Sequence, residues 1–251
     1  MAELHPLALQ FASVADVYER GRPDYAPAVV GALAAELGIA PGAQVLDLGA
    51  GTGKLTRALV AFGLDVVAVE PQSALREVLA LGIGGERVLD GTAEEIPLPD
   101  QSVAAVTVAD AFHWFDQSAA LTEIQRVLRP GGGLAVLATV PGNLDASWAS
   151  ELVTLLSNRR PKHPGFDGPP WTEAVRAAGG WCEPREVEVI TSQPTSPDRM
   201  LDYLASASWI AAMPEEERAE LLDQARAILA AADMPSELPV HVSIGLTRPA
   251  R

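Results

Sequence analysis

VLDLGAGTGKLT, the stretch from residue 45 to residue 56, joins a short apolar segment to a glycine-rich turn and the start of a helix. Glycine lets the backbone turn tightly and lets a ligand approach without interference from a Cβ atom. The N–H groups in the first turn of a helix have no partner within the helix and are available to a ligand. The stretch therefore predicts a strand, a ligand-binding turn and a helix in succession.

The spacing of the glycines excludes two common nucleotide-binding turns. A dinucleotide fingerprint, G-x-G-x-x-G/A, needs its last small residue at position 54 or 56, where Lys54 and Thr56 stand. A phosphate loop, G-x-x-x-x-G-K-[ST], needs a glycine and a hydroxyl residue where Leu48 and Leu55 stand. What remains is the pattern D-x-G-x-G-x-G over residues 47–53.

Strands and helices alternate on either side of this turn. Strands are predicted at 44–48, 65–70, 87–90, 103–109 and 134–139, and helices at 26–38, 53–62, 73–81 and 118–128. Such alternation indicates a parallel sheet with helices on both faces. Beyond residue 140 the pattern predicts a loop over 158–171, strands at 186–190 and 240–246, and covering helices near 145–180 and 198–232.

Glu70 ends the second predicted strand, about 20 residues past the turn, where a carboxylate meets ribose hydroxyls in doubly wound folds. A carboxylate can accept two hydrogen bonds from a ribose diol. Glu70 is therefore a candidate ribose ligand.

Composition limits the partners. The 251 residues include 33 acidic and 18 basic side chains, for a formal charge of −15. A nucleic-acid-binding protein normally shows a basic stripe, and we find none, which argues against nucleic acid and anionic membranes. No secretory signal and no apolar run long enough for a membrane span are visible. We expect one cytoplasmic domain, and the oligomeric state stays open.

Further motifs follow in a fixed order: residues 90–100 after the third strand, 110–115 after the fourth, and the turn 128–132. With the glycine-rich turn, this set resembles the class I methyltransferases that depend on S-adenosylmethionine (SAM). Upstream, residues 18–25 (YERGRPDY) resemble the N-terminal cap in the subgroup that includes trans-aconitate methyltransferases.

The resemblance implies an α/β fold: a doubly wound, Rossmann-like, seven-stranded sheet, mostly parallel with the last strand antiparallel, plus a helical cover. It implies one methyltransferase domain over residues 1–251. Its parts would be an N-terminal cap (1–25), a cofactor-binding core (26–140), cover and acceptor-pocket segments (141–232) and a terminal strand (233–251).

The resemblance also implies SAM as cofactor, S-adenosylhomocysteine as its product and a set of binding residues. Tyr18 and Arg22 would close over the methionine part, the turn would cradle it, and residues 92–94 would frame the adenine. The chain has Thr92 where many relatives carry aspartate. The assigned residues are Tyr18, Arg22, Asp47, Gly49, Ala50, Gly51, Glu70, Pro71, Thr92, Ala93, Glu94, Asp110 and Ala111.

Methyl transfer mainly requires alignment of the reacting atoms, and a general base is optional. His113, after the fourth strand, is the candidate base; the alternative is a histidine packed among the aromatic residues around it. His163 is expected at the surface of its loop, and His5 carries no signal. No side-chain spacing is typical of a metal site.

We expect methylation of a small molecule in specialised metabolism. Two alternatives stay open: a SAM-binding enzyme with other chemistry, such as cyclisation, and a non-catalytic SAM-binding partner protein. The acceptor, and whether O, N, C or S is methylated, are not determined by the sequence.

Overall fold

One sheet of seven strands forms the centre of the computed structural model, which describes residues 4–142, 146–157 and 159–250. The strand order is β3-β2-β1-β4-β5-β7-β6. The strands are β1 (Gln44–Leu48), β2 (Asp65–Val69), β3 (Val88–Leu89), β4 (Val103–Ala109), β5 (Leu128–Pro141), β6 (Arg185–Pro194) and β7 (Glu237–Thr247).

The sheet is parallel except at β7. The first five strands pair in parallel, whereas β7 runs antiparallel to both β5 and β6. This confirms the predicted doubly wound sheet with an antiparallel last strand. The strand order reverses between β1 and β4, and ligands of open α/β sheets bind outside the carboxyl ends of the strands at such a point.

Helices connect the strands and cover the sheet. They are α1 (Ala15–Gly21), α2 (Pro27–Leu37), α3 (Lys54–Ala61), α4 (Ser73–Ile83), α5 (Gln117–Val127), α6 (Ser147–Ser157), α7 (Pro164–Asp167), α8 (Trp171–Ala178), α9 (Pro197–Ala205), α10 (Ser208–Ala211) and α11 (Glu215–Ala231). Short 3₁₀ helices lie at Ala8–Val14, Gly85–Arg87 and Phe112–Trp114. Among the residues that the structure describes, no helix is both long enough and apolar enough to cross a bilayer.

Each face of the sheet buries its own apolar cluster. Val45 and Val66 face a cluster that includes α2 and α3, whereas Leu46 and Leu48 face one that includes α5. Side chains of a strand alternate between the faces of its sheet, so one short strand contributes to both clusters. The two clusters hold the carboxyl ends of β1, β2 and β4 at one edge.

A third apolar cluster lies outside the sheet. It joins α6, α9, α10 and α11, with Trp148, Leu204, Trp209 and Leu221 among its buried side chains. Leu7 of the N-terminal segment packs against it. The predicted cover therefore has a core of its own, and the N-terminal segment is attached to it.

Two local predictions are wrong, and one segment holds elements that the sequence did not indicate. The turn predicted at 128–132 lies within β5, whose pairing with β4 shifts register between Val103 and Ala105, so the glycine run forms an irregular part of this ladder. The loop predicted over 158–171 contains α7, which His163 caps by accepting the Gly165 N–H. Residues 4–25, for which the sequence predicts no helix or strand, contain a 3₁₀ helix and α1.

Candidate functional site

A cavity of about 290 Å³ opens at the carboxyl edge of β1, β2 and β4, and a smaller hollow of about 40 Å³ adjoins it. The glycine-rich turn, the loops after β2, β3 and β4, and the N-terminal segment form the cavity wall. Predicted residues that line it are Tyr18, Gly49, Gly51, Glu70, Pro71, Thr92, Ala93, Glu94, Asp110 and Ala111. Arg22, Asp47 and Ala50 line the smaller hollow.

The turn after β1 requires glycine for backbone reasons. Gly49, Gly51 and Gly53 have φ values of 69°, 57° and 88°, a region that side chains with a Cβ atom disfavour. A Cβ atom on Gly53 would lie 2.3 Å from Leu79, whereas one on Gly51 would meet nothing within 4 Å. Gly51 thus leaves open space beside the cavity, which a ligand can occupy.

Glu70 lies directly after β2 and is only 4% exposed. One carboxylate oxygen accepts the Gly51 N–H at 2.9 Å, and the other accepts the Gln72 N–H at 3.0 Å. Burial raises the pKa of Glu70, against the lowering effect of these hydrogen bonds. The carboxylate therefore holds the turn in place and keeps lone pairs for a ligand in the cavity.

Asp47 lies beneath the turn and is 1% exposed. It accepts hydrogen bonds from the hydroxyls of Thr56 at 2.6 Å and Thr107 at 2.9 Å. Burial raises its pKa to about 6, although both hydroxyls act in the other direction. Asp47 thus ties β1 to α3 and β4 and borders only the smaller hollow.

Two hydroxyls in the cavity wall have no hydrogen-bond partner within the described part of the chain. They are Oγ1 of Thr52 and Oγ1 of Thr92, both buried. A buried polar atom without a partner costs free energy of about 1–3 kcal/mol. A ligand with polar groups along the cavity would provide the missing partners.

Arg22 lies between two tyrosine rings. Its guanidinium carbon is 5.3 Å from the Tyr18 ring centroid and 4.7 Å from that of Tyr203, and its Nε donates to Ser206 Oγ at 2.8 Å. Burial raises the pKa of Tyr18 to about 12, so its phenol is neutral. Tyr203 and Ser206 belong to the cover, and no sequence signal indicated their part in this site.

Asp110 directly follows β4 and has a left-handed conformation, with φ of 51°. Its carboxylate accepts the Thr139 N–H at 3.0 Å and the Tyr25 hydroxyl at 3.2 Å. Burial is the largest cause of its raised pKa. Asp110 therefore links the cap to β4 and β5 beside the cavity.

His113 does not line the cavity. Its ring centroid lies 4.6 Å from that of Trp114, which does, and 5.7 Å from that of His163. A Cβ atom on Gly165 would lie 3.1 Å from the His113 ring, so α7 closes its other side. Burial, then the charges of His163 and Arg22, lower the pKa of His113 to about 4.

Two other histidines correct the sequence-based expectations. His163 is 7% exposed rather than at the surface, and its Nε2 lies 3.3 Å from Ser208 Oγ. His5 lines the cavity, with its ring 5.3 Å from Trp114. Within 4–142, 146–157 and 159–250, no group of three or more His, Cys, Asp or Glu side chains could hold a metal ion.

Sequence comparison connects this geometry to known proteins. The family model described as "Methyltransferase domain" matches residues 46–136. An uncharacterized methyltransferase of Mycobacterium tuberculosis is 39% identical over 224 residues, which cover 89% of this chain and 87% of the relative. An uncharacterized methyltransferase-like protein of Schizosaccharomyces pombe is 32% identical, covering 87% of this chain and 84% of that protein.

Solved structures share the fold. A structure named as a type II methyltransferase from Anaeromyxobacter dehalogenans is 26% identical, with a TM-score of 0.61 and coverage of 92% of this chain and 97% of that chain. A Haemonchus contortus N-methyltransferase solved with S-adenosylhomocysteine has a TM-score of 0.52 at 17% identity. The match covers 98% of this chain and 58% of the N-methyltransferase chain.

Proposed function

The chain belongs to the class I SAM-dependent methyltransferase family, and we propose that it transfers a methyl group from SAM to a small-molecule acceptor. The observation that carries this proposal is the cavity at the carboxyl edge, where Gly51 leaves open space and Glu70 lies at the wall. The solved N-methyltransferase with S-adenosylhomocysteine supports SAM as the cofactor through its shared fold.

The residues at the cavity fit SAM. Thr52 and Thr92 have buried hydroxyls without a partner among the described residues, and a nucleoside offers them polar atoms. Glu70 has lone pairs beyond the two that its backbone partners use, which suits a ribose diol. Bound SAM supplies an electrophilic methyl group on a sulfonium.

We propose the following division of the site. The turn of Gly49, Ala50 and Gly51 would hold the methionine part, with Tyr18 and Arg22 above it and Asp110 beside it. The segment after β3 would frame the adenine, and Glu70 with Pro71 the ribose. Asp47 would act indirectly, through its hydrogen bonds to Thr56 and Thr107 beneath the turn.

We propose that His113 accepts the proton of a hydroxyl-bearing acceptor. With its pKa lowered to about 4, the imidazole is neutral near pH 7. Its ring does not line the cavity and lies 4.6 Å from that of Trp114, which does, so one water molecule would carry the proton between acceptor and imidazole. A His113→Gln variant should lose the rate decrease that protonation of this imidazole causes near pH 4.

The same proposal includes a cytoplasmic location, a role in specialised metabolism and no nucleic acid or membrane as partner. Two other functions compete with it. A SAM-binding enzyme with different chemistry would give products that lack the added methyl mass, and a non-catalytic SAM-binding protein would give no product from any acceptor. Mass spectrometry of acceptor mixtures incubated with SAM distinguishes these cases.

Calorimetry with a matched pair of glycine variants tests the cofactor site. Gly51 and Gly42 both have positive φ, 57° and 85°, and a Cβ atom on either meets nothing within 4 Å. Only Gly51 lines the cavity. We expect wild type and Gly42→Ala to bind S-adenosylhomocysteine one to one and not to bind NAD. Gly51→Ala should bind S-adenosylhomocysteine at least about tenfold more weakly than wild type. NAD binding without S-adenosylhomocysteine binding would contradict the proposal.

A further inference from the structure

Three rings form one wall of the cavity on the side of the N-terminal segment. They belong to His5, Phe11 and Trp114, and we call them the ring wall. Phe11 meets Trp114 edge to face with 5.8 Å between centroids, and His5 lies 5.3 Å from Trp114 at a tilt of 46°. The proposed cofactor contacts lie mainly in the glycine-rich turn and the loops after β2 and β3, which leaves the ring wall without a role.

The charges around the cavity disfavour an anionic ligand. Among the described residues, no lysine or arginine lines the cavity. Four acidic residues line it: Glu70, Glu94, Asp110 and Asp116. Arg22 lines only the adjoining hollow, over the Tyr18 and Tyr203 rings, and belongs to the proposed cofactor contacts. Arg160, in the loop that packs on His113, pairs with Asp167 at 2.8 Å and lies over the Phe166 ring. An anion entering here would lose its hydration without gaining an ion pair.

The same carboxylates are already engaged, because Glu70, Glu94 and Asp110 belong to the proposed cofactor contacts and all four accept backbone hydrogen bonds. Glu94 accepts the Asp116 N–H at 2.8 Å, and Asp116 accepts the Ala119 N–H at 3.1 Å. Glu70 and Asp110 are bound in the same way. The acidic groups of the cavity therefore have partners in the chain or in the proposed cofactor, and the ring wall is left for an uncharged ligand.

His5 provides one polar group on this wall. Its Nδ1 accepts the Leu7 N–H at 3.2 Å, so the neutral imidazole carries its proton on Nε2. That N–H can donate to an oxygen substituent of a ligand. Rings with one well-placed donor are typical of sites for apolar small molecules, in which a few polar groups set the orientation.

We propose that the methyl acceptor is an uncharged aromatic compound with an oxygen substituent, and that the ring wall binds its ring. This inference rests on the proposed function, because it assigns the acceptor side of the same cavity. Aromatic rings attract one another in edge-to-face and offset arrangements. Phe11 and Trp114 give the acceptor ring such neighbours, and His5 binds its oxygen.

Two probes with the same ring test the charge preference. With the full-length protein saturated with S-adenosylhomocysteine, calorimetry should show 2-naphthol binding at least about tenfold more tightly than 2-naphthoate, since the anion has no partner here. Equal or tighter binding of 2-naphthoate would overturn the inference, and so would tighter binding of the cation 1-naphthylmethylammonium.

Ring-removing variants locate the bound probe. Trp114→Leu and Phe11→Leu should each weaken 2-naphthol binding about fivefold, within the range for losing one aromatic pair. Phe166→Ala removes a ring that is 70% exposed and does not line the cavity, and should change nothing. Unchanged 2-naphthol binding in both wall variants would contradict the inference.

The affinity for S-adenosylhomocysteine distinguishes failure of this inference from failure of the proposed function. Wall variants that keep the wild-type affinity for S-adenosylhomocysteine are folded and have an intact cofactor site, so their loss of 2-naphthol binding supports the ring wall as the acceptor site. Variants that lose both affinities equally would assign the rings to the cofactor and overturn the inference. Failure of the wild type to bind S-adenosylhomocysteine would instead reject the proposed function.

Discussion

The sheet with its two apolar clusters and the cap with its cover are stabilised in different ways. In the sheet, several contacts join strands to helices that are near them in sequence, such as α3 against β2 and α4 against β3. In the cap, α1 packs on α9, about 180 residues later along the chain, where Arg20 pairs with Asp202 at 2.8 Å. Contacts of the first kind leave a periodic pattern in the sequence, and contacts of the second kind do not.

The cap is also joined to the sheet region by charge. Lys54 of α3 pairs with Asp24 at 2.7 Å, Arg57 pairs with Glu19, and the Gln72 side chain donates to the Ala8 carbonyl at 3.0 Å. The difference between the regions shows that a short segment can be held by docking on distant elements.

The largest expected effect comes from forcing the cap away from the cover. A Cβ atom on Gly21 would lie 2.3 Å from the Tyr203 nitrogen, which is backbone and cannot turn aside. Gly21→Ala should therefore cost about 3 kcal/mol or more of the free energy of unfolding, the upper end of the range for overpacking, because the clashing atoms are backbone. Hydrogen exchange should rise across residues 15–21 and 197–205 and stay unchanged in β1 and β4.

Gly31→Ala is the control for this experiment. Gly31 lies in α2, and an added Cβ atom meets nothing within 4 Å. Alanine has the higher helix propensity, so this variant should be as stable as wild type or slightly more so. If both variants unfold at the same denaturant concentration, the close docking of α1 on α9 is incorrect.

A smaller effect is expected at the sheet edge, from Glu70→Ala. Loss of the carboxylate should weaken S-adenosylhomocysteine binding by about 1–3 kcal/mol, the range for charge-assisted hydrogen bonds. The affinity of Glu70→Gln should lie between those of wild type and Glu70→Ala, because the amide oxygen of glutamine can still accept one of the two backbone N–H groups. Titration calorimetry measures the affinity of wild type and both Glu70 variants, and Glu77→Ala, at an exposed position, is the control. Identical dissociation constants for wild type and the Glu70 variants would show that the ribose is held elsewhere.

The smallest effect is a slope with pH, at Asp47. Its folded pKa, about 6, lies above its ordinary value of 3.8, so the folded chain binds this proton at a higher pH than the unfolded chain does. The stability that this group contributes is therefore present below about pH 4 and is lost as pH rises to about 6. Asp47→Asn should have a flatter curve of unfolding free energy than wild type across this window, and parallel curves would contradict the raised pKa.

Much of the fold could be predicted from the sequence because the information is local. The glycine pattern at 47–53 requires a turn with positive φ, and apolar runs such as 103–109 predict strands buried on both faces. Their alternation with helices predicts the parallel sheet, and a parallel sheet places the carboxyl ends of its strands at one edge. The cofactor residues that the family resemblance assigned all line the cavity or the adjoining hollow.

Only the tertiary structure decided which distant side chains complete the site. Tyr203 and Ser206 reach Arg22 because α9 packs on α1, and His5 reaches the cavity because the N-terminal segment lies over the loop after β2. His163 is buried because α7 folds against the 3₁₀ helix that carries His113. Burial and contacts between segments far apart in the chain depend on packing in three dimensions. Periodicity and turn conformation depend on residues that are neighbours in the sequence, so they can be predicted from it.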